Sequence, residues 1–301
     1  MLSDPAIGPW GGCQLVILAG NVKLFLRIEV ISINSDSRHF DYLSSPEASE
    51  AAAKDGSTLV WPFGACEQHG PHLPLVTDAL FAEEILTEVL DQMPKETPIW
   101  MLPVQKIGFS PEHLGFPGTL SISADLMLQL VSEIGRQLAD LGIKRLVLFN
   151  AHGGQIGLLQ AVARQLRAEC PSMAVLPCFL WSGIESLKDL IPHREVEEGL
   201  HAALAETSLM LSIKPELVGI QRPFDGDENF PKNNISIPEG WSLEGAAPCA
   251  WLTKDLSITG VIGDSRGANP DLGDRLKNAL VEHWTSLFIN LMNSNWPSLG
   301  A

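Results

Sequence analysis

Basic side chains are the scarcer charged class in this chain, with 20 Lys and Arg against 36 Asp and Glu and a net charge of −16. Binding to phosphate backbones or anionic membrane surfaces depends on clustered Lys and Arg, so neither nucleic acid nor a membrane is an expected partner. The acidic surplus reads as a solubility device, because net charge keeps chains apart. Cysteine is sparse as well. The five residues, Cys13, Cys66, Cys170, Cys178 and Cys249, are odd in number and lack CxxC spacing. That pattern signals neither a disulfide framework nor a thiolate zinc site, and it favours a reducing, cytoplasmic setting. Cys66 stands beside Glu67 with no base assigned to it, so a buried apolar role is the plainer reading.

No apolar run reaches the roughly 20 residues that a membrane-spanning helix needs. The N-terminal stretches Leu15 to Leu18 and Val22 to Ile33 are broken by Asn21, Lys23, Arg27 and Glu29, and no basic region precedes a signal-like core. Around Gly20-Asn21 they suggest a hairpin with a two-residue turn, and residues 1–40 are read as an N-terminal extension. Internal repeats and low-complexity tracts are missing too, so a repeat architecture is not expected.

What is present fits one large α/β domain over residues 41–301, with 45% hydrophobic residues, 26 Gly and 21 Pro. Strand-like runs at Ser57 to Phe63, Ile99 to Val104 and Arg145 to Phe149 alternate with helical patterns. Those patterns span Ala79 to Leu90, Ala124 to Leu141, Ile156 to Ala168 and Asp271 to Met292. Such alternation is the signature of parallel βα units. Asn269 is the expected cap of the last helix and Pro270 its first residue.

Chemistry concentrates where the strands end. After the first run come Glu67, Gln68, His69 and Gly70, then Asp78 within GPHLPLVTD. Loops beyond the carboxyl ends of parallel strands converge without disturbing the core. In an extended loop, Glu67 and His69, two apart, fall on one side. A carboxylate with an imidazole suits Zn, Mn or Fe. Asp78 also reads as a helix cap, since it directly precedes the pattern from Ala79. The run Arg145 to Phe149 breaks in the same way into Asn150-Ala151-His152-Gly153-Gly154-Gln155. His201 opens a third segment, five residues before Glu206, about 140° apart on a helix. They share no face unless the helix begins after His201, and by spacing alone a solvated, acidic first turn is the plainer reading. His113 lies in a loop after Ile99 to Val104, open to a substrate contact or a structural role. His72 is read as packing or solvent-facing rather than as a ligand.

Together, EQHG, HLPL-x-TD, EH-x-x-FPGT (Glu112 to Thr119), N-x-HGG and HA-x-x-x-ETS resemble the creatininase, or creatinine amidohydrolase, family. The likeness runs from about Leu43 to Asn293 and includes the late Gly260 to Asp264 segment. It implies a three-layer α/β/α fold, one or two divalent metals, hydrolysis of a non-peptide or cyclic C–N amide bond, and often a homohexamer. Carried over residue by residue, Glu67, His69, Asp78 and His152 match metal ligands, with Asp78 bridging two ions, and His201 matches a proton shuttle. Creatininases carry a Glu two residues after the equivalent of His152, where this chain has Gly154; Glu206 is expected to supply the missing carboxylate. His113 is expected to contact substrate. Members with HGG act on other amides, among them formamides and a precursor peptide, so creatinine itself is not implied.

The mechanism that follows is attack on a carbonyl by hydroxide on a bound metal, with His201 protonating the departing nitrogen. A two-metal phosphoesterase and a noncatalytic oligomeric binding protein are the alternatives; the first lacks a basic cluster to hold phosphate. Trp181, Trp241 and Trp251 lie in Pro- and Gly-rich segments that fit either a lid or ordinary packing. Asp225 to Glu228 reads as a solvated turn, without the ligand spacing of a calcium loop.

Overall fold

Central strands buried on both faces should be continuously apolar, and TLVWPF and RLVLFN meet that demand as β1 (Thr58–Phe63) and β3 (Arg145–Asn150), with all twelve residues buried. With β2 (Ile99–Met101) and β4 (Ala174–Phe179) they form a four-stranded sheet in the order β2-β1-β3-β4. Every pairing is parallel, with Thr58 opposite both Ile99 and Arg145, and Arg145 opposite Ala174. β4 is not among the runs read from the sequence. It is an edge strand, half exposed, and it carries Pro177, a residue that edges tolerate.

The computed structural model describes residues 37–224 and 237–297, all within the unit Ile33–Ala301. The expected N-terminal hairpin and the acidic turn Asp225 to Glu228 lie outside the described residues. The helices are α1 (Ser45–Ala53), α2 (Thr77–Asp91), α3 (Ala124–Leu141), α4 (Ile156–Glu169), α5 (Glu185–Leu190), α6 (His193–Glu198), α7 (Leu204–Ile213), α8 (Thr253–Leu256) and α9 (Pro270–Met292). Among the described residues, no helix is long and apolar enough to cross a membrane.

Alternation along the strands makes two cores. Val60, Val147 and Phe149 pack with Phe81, Ile85 and Val89 of α2, Leu209 and Met210 of α7, and Leu276, Leu280 and Trp284 of α9. Leu59, Trp61, Phe63, Leu146 and Leu148 pack instead with Met127 and Val131 of α3 and Leu159, Val162 and Leu166 of α4. The fold is therefore the expected three-layer α/β/α sandwich.

Local signals place the helices. Ser123 accepts from the Leu126 amide at 3.3 Å and Gly142, at φ 103°, ends α3, the usual start and stop chemistry. Asn269 accepts from Leu272 N at 2.9 Å, with Pro270 in the first turn of α9. Both helices match their expected spans to within a residue.

Candidate metal centre

The order β2-β1-β3-β4 contains a switch point. α2 leaves β1 for one face of the sheet and α4 leaves β3 for the other, so the loops after these adjacent strands diverge and open a crevice between them. Glu67 and His69 come from the loop after β1, Asp78 from the first turn of α2, and His152 from the loop after β3. Gly64 lets that first turn sit hard against the end of β1, because a Cβ there would overlap the backbone of Ala79.

Asp78 is not the cap of α2. The helix begins at Thr77 with Val76 before it, and the carboxylate turns inward. Its Oδ1 lies 3.4 Å from His69 Nε2 and its Oδ2 3.4 Å from His152 Nδ1. Glu67 Oε2 lies 3.3 Å from His152 Nδ1, and Glu67 Oε1 lies 4.0 Å from His69 Nε2. All four side chains are buried.

Hydrogen bonds assign the ring nitrogens. His69 Nδ1 is 3.1 Å from the Glu67 carbonyl and His152 Nε2 is 3.0 Å from the Phe109 carbonyl. A carbonyl only accepts, so those nitrogens carry protons in either charge state, and His69 Nε2 and His152 Nδ1, which face the carboxylates, are the positions at which a cation would replace a proton. His201 donates from Nε2 to the Gln68 carbonyl at 2.7 Å, which leaves its Nδ1 3.9 Å from Glu67 Oε1. His113 is the reverse case. The Gln68 amide nitrogen, which also donates to the Gly260 carbonyl, meets His113 Nδ1 at 2.9 Å. Nε2–H of His113 therefore points at Glu67 Oε1, 3.4 Å away. Ser110 Oγ donates to Glu67 Oε2.

His201 precedes α7 rather than opening it, and the solvated turn expected from spacing is not found: His201 is buried and Glu206 half-buried. Ala202 between them adopts φ 52°, a left-handed conformation that costs a non-glycine residue on the order of 1 kcal/mol. Glu206 Oε2 accepts from the Ala202 amide at 2.6 Å and supports that turn. The volume that a side chain at Gly154 would need is filled by the Glu112 carboxylate. His72, buried and 2.9 Å from Thr207 Oγ1 through Nε2, packs beneath the site. Trp251 stands edge-on to His113 with ring centroids 6.4 Å apart, while Trp181 packs on Phe81 and Trp241 is exposed.

The electrostatics follow from crowding acids and imidazoles out of water. Burial alone would depress His69, but Asp78, with Glu206 and Glu67, outweighs it and lifts the imidazole to about 9. His152 is likewise raised against burial by Glu67, Asp78 and Glu112. Burial would raise Asp78, yet His69 and His152 hold its carboxyl well below the usual range. Burial lifts Glu206 above that range against the pull of His69. Burial and the neighbouring His69 and His113 press His201 well below an ordinary imidazole, so it is neutral with a free Nδ1 lone pair. Cys66 is a protonated thiol, raised by burial and by Glu67.

This donor set fits a divalent cation. Ligands about 2.1 Å from a tetrahedral ion stand about 3.4 Å apart, close to the 3.3 and 3.4 Å separations among Glu67, Asp78, His69 and His152. His69 Nε2 and Asp78 Oδ2 are buried with no hydrogen-bond partner, an expensive state unless something else satisfies them. Groups with ligand atoms within 4.8 Å of one another include Glu67, His69 and Asp78; His69, His201 and Glu206; Glu67, His113 and His201; and Glu67, Glu112 and His152. Every residue expected at the site is thus brought to it. Ser110, Gln68 and Glu112 are there as well, unmarked as site residues by spacing or composition; Glu112 is visible in sequence only as part of EH-x-x-FPGT.

The pattern described as "Creatininase: Creatinine amidohydrolase" matches residues 41–288. The mycofactocin precursor peptide peptidase of Mycobacterium ulcerans (strain Agy99) is 33% identical over 242 residues, covering 76% of this chain and 83% of that protein. The creatinine amidohydrolase of Pseudomonas putida is 28% identical over 197 residues, covering 61% of this chain and 74% of its own. The solved structure "Creatininase Mn" shares the fold with a TM-score of 0.67 at 22% identity, over 86% of this chain and all of the other. With the family pattern running through both strand-end loops and the segment before α7, the chain belongs to the creatininase family of hydrolases.

Proposed function

We propose that this chain is a metal-dependent amidohydrolase that cleaves a C–N amide bond in the crevice between β1 and β3. The observation that carries this reading is the convergence of Glu67, His69, Asp78 and His152, with two buried polar atoms left unsatisfied by the protein. Asp78 directs its two oxygens at different imidazoles, so it would hold a cation together with both His69 and His152. Glu67, His69, Asp78 and His152 would hold a divalent cation, which would supply carbonyl polarisation and a more acidic water near neutral pH.

The protein supplies the proton transfers. An amide nitrogen leaves only when protonated. His201 is suited to that task because Gln68 fixes its Nε2–H and leaves Nδ1 free beside Glu67. In this reading His201 accepts a proton at Nδ1 from the attacking water, and because the ring is weakly basic it readily gives that proton up to the departing nitrogen. His113, expected to meet substrate, sits beside His201 with ring centroids 4.2 Å apart and directs Nε2–H at Glu67. Together with Trp251 it forms the wall against which a substrate lies.

The substrate we favour is a short peptide-like amide, a shift from the cyclic amide or formamide suggested by the family resemblance. The support is the 33% identity over three quarters of the chain to a precursor peptide peptidase, against 28% over a shorter stretch to a creatinine amidohydrolase. The test is metal analysis followed by assays on short peptides, formamides, lactams and phosphoesters. Amine release from peptides without phosphate release is the expected result. Formate or lactam-opening activity alone would return the substrate to the smaller amides. Phosphate release, or a metal-loaded protein inert to every amide, would overturn the amidohydrolase reading.

A further inference from the structure

We infer that Glu112 is the carboxylate that orients His152, and that Gly154 lacks a side chain so that Glu112 can reach it. The inference rests on the reading of His152 as a metal ligand. His152 turns Nδ1 inward, to Glu67 Oε2 and Asp78 Oδ2 at 3.3 and 3.4 Å. Its Nε2 points outward, to the Phe109 carbonyl at 3.0 Å and Glu112 Oε1 at 3.3 Å. Both outer groups only accept, so Nε2 keeps its proton and Nδ1 is the position left for a cation. An anionic acceptor behind a ligand histidine fixes ring rotation and tautomer and raises the basicity of the coordinating nitrogen. The neutral Phe109 carbonyl supplies the first effect; Glu112 adds the charge that supplies the second.

One short turn carries this bracing. Ser110 donates to Glu67, His113 directs Nε2 at the other oxygen of Glu67, and Glu112 between them backs His152. The loop after β2 thereby steadies ligands from the ends of both β1 and β3. Gly154 is the matching feature on the β3 side. A Cβ there would overlap Glu112 Oε1 and stand 2.6 Å from His152 Nε2, whereas a Cβ on the adjacent Gly153 would meet nothing within 4 Å. The requirement at 154 is for the space in which Glu112 meets His152 Nε2, and it is confined to that one position of the pair.

The test uses the full chain stripped of metal and titrated with Zn²⁺ or Mn²⁺ against a competing chelator. Ion stoichiometry at saturation and the melting temperature of the metal-free form are measured alongside. Glu112→Ala and Gly154→Ala should each weaken affinity roughly 10- to 100-fold, with stoichiometry unmoved and a cooperative melting transition kept in the metal-free form. Glu112→Gln, which keeps an accepting oxygen without the charge, should recover part of the loss, and Gly153→Ala should match wild type. In a Glu112→Ala background a Cβ at 154 is relieved of the carboxylate and meets only His152 Nε2, at 2.6 Å, so adding Gly154→Ala should cost less than it does alone. Wild-type affinity in Glu112→Ala, or fully additive losses in the double variant, would overturn the inference. So would one fewer ion at saturation, because Glu112 would then be a ligand itself. A wild-type chain that takes up no ion sinks the metal reading along with this one; normal uptake with unaffected Glu112 variants sinks this one alone.

Discussion

Phe149 and Leu59 in the sheet and His69, Glu67 and Asp78 just beyond it are equally hidden from water, at 0, 0, 0, 1 and 2% exposure. Burial stabilises the first pair, by about 2 kcal/mol for a large apolar side chain. For the second group it is a cost, because a carboxylate or unpaired imidazole leaves water unfavourably. The sheet thus supplies the stability that lets the ends of its two central strands carry unfavourable groups. The two regions are joined at the ends of β1 and β3, where apolar alternation stops and the polar loops begin, so each should respond to its own kind of damage.

The largest expected effects cross between them. Asp78→Ala should lose stoichiometric metal and on the order of 10³-fold in turnover, the scale of several kcal/mol of charge stabilisation. Phe149→Ala should cost about 3–5 kcal/mol of stability while the folded fraction keeps its ions. Elemental analysis beside denaturant unfolding checks both. An Asp78→Ala protein with its full metal content would erase the contrast and leave Asp78 only a first-turn acid of α2.

His201→Ala sharpens the comparison within the polar region. Loss of a positioned proton carrier should lower turnover by about 10²–10⁴-fold with metal content retained. Full turnover in that variant would remove His201 from proton transfer, and loss of the ions would make it a ligand.

The smallest effect is a pH dependence. In the metal-free protein His69 is lifted from 6.5 to about 9. A folded value above the unfolded one means that its contribution to stability is complete below about 6.5 and is lost as pH rises through about 9. A cation competes with that proton. The melting temperature gained on metal loading should therefore widen from pH 6.5 toward 9. A gap constant across that window would exclude His69 from the ion.

Much of the scaffold is legible because its signals are local. Ser123 and Gly142 bracket α3, Asn269 and Pro270 open α9, and β1 and β3 stand out as short apolar runs. β4 escapes because an edge strand carrying Pro177 has no continuous apolar stretch. The turn at His201 misleads for a related reason: its left-handed Ala202 has no glycine to announce it. Glu112 and Gln68 act through partners 40 and 45 residues away in sequence, and periodicity carries nothing over such distances.

The amino-acid order by itself determined which segments become strands and helices, and that acids and imidazoles gather just past β1 and β3, since propensity, capping and apolar period act over a few residues. Tertiary structure alone decided that these groups face one another, that Asp78 turns inward instead of capping its helix, and that Glu112 fills the space beside Gly154. Those outcomes depend on where parallel strands diverge and which backbones can approach closely, and only the packed chain brings them about.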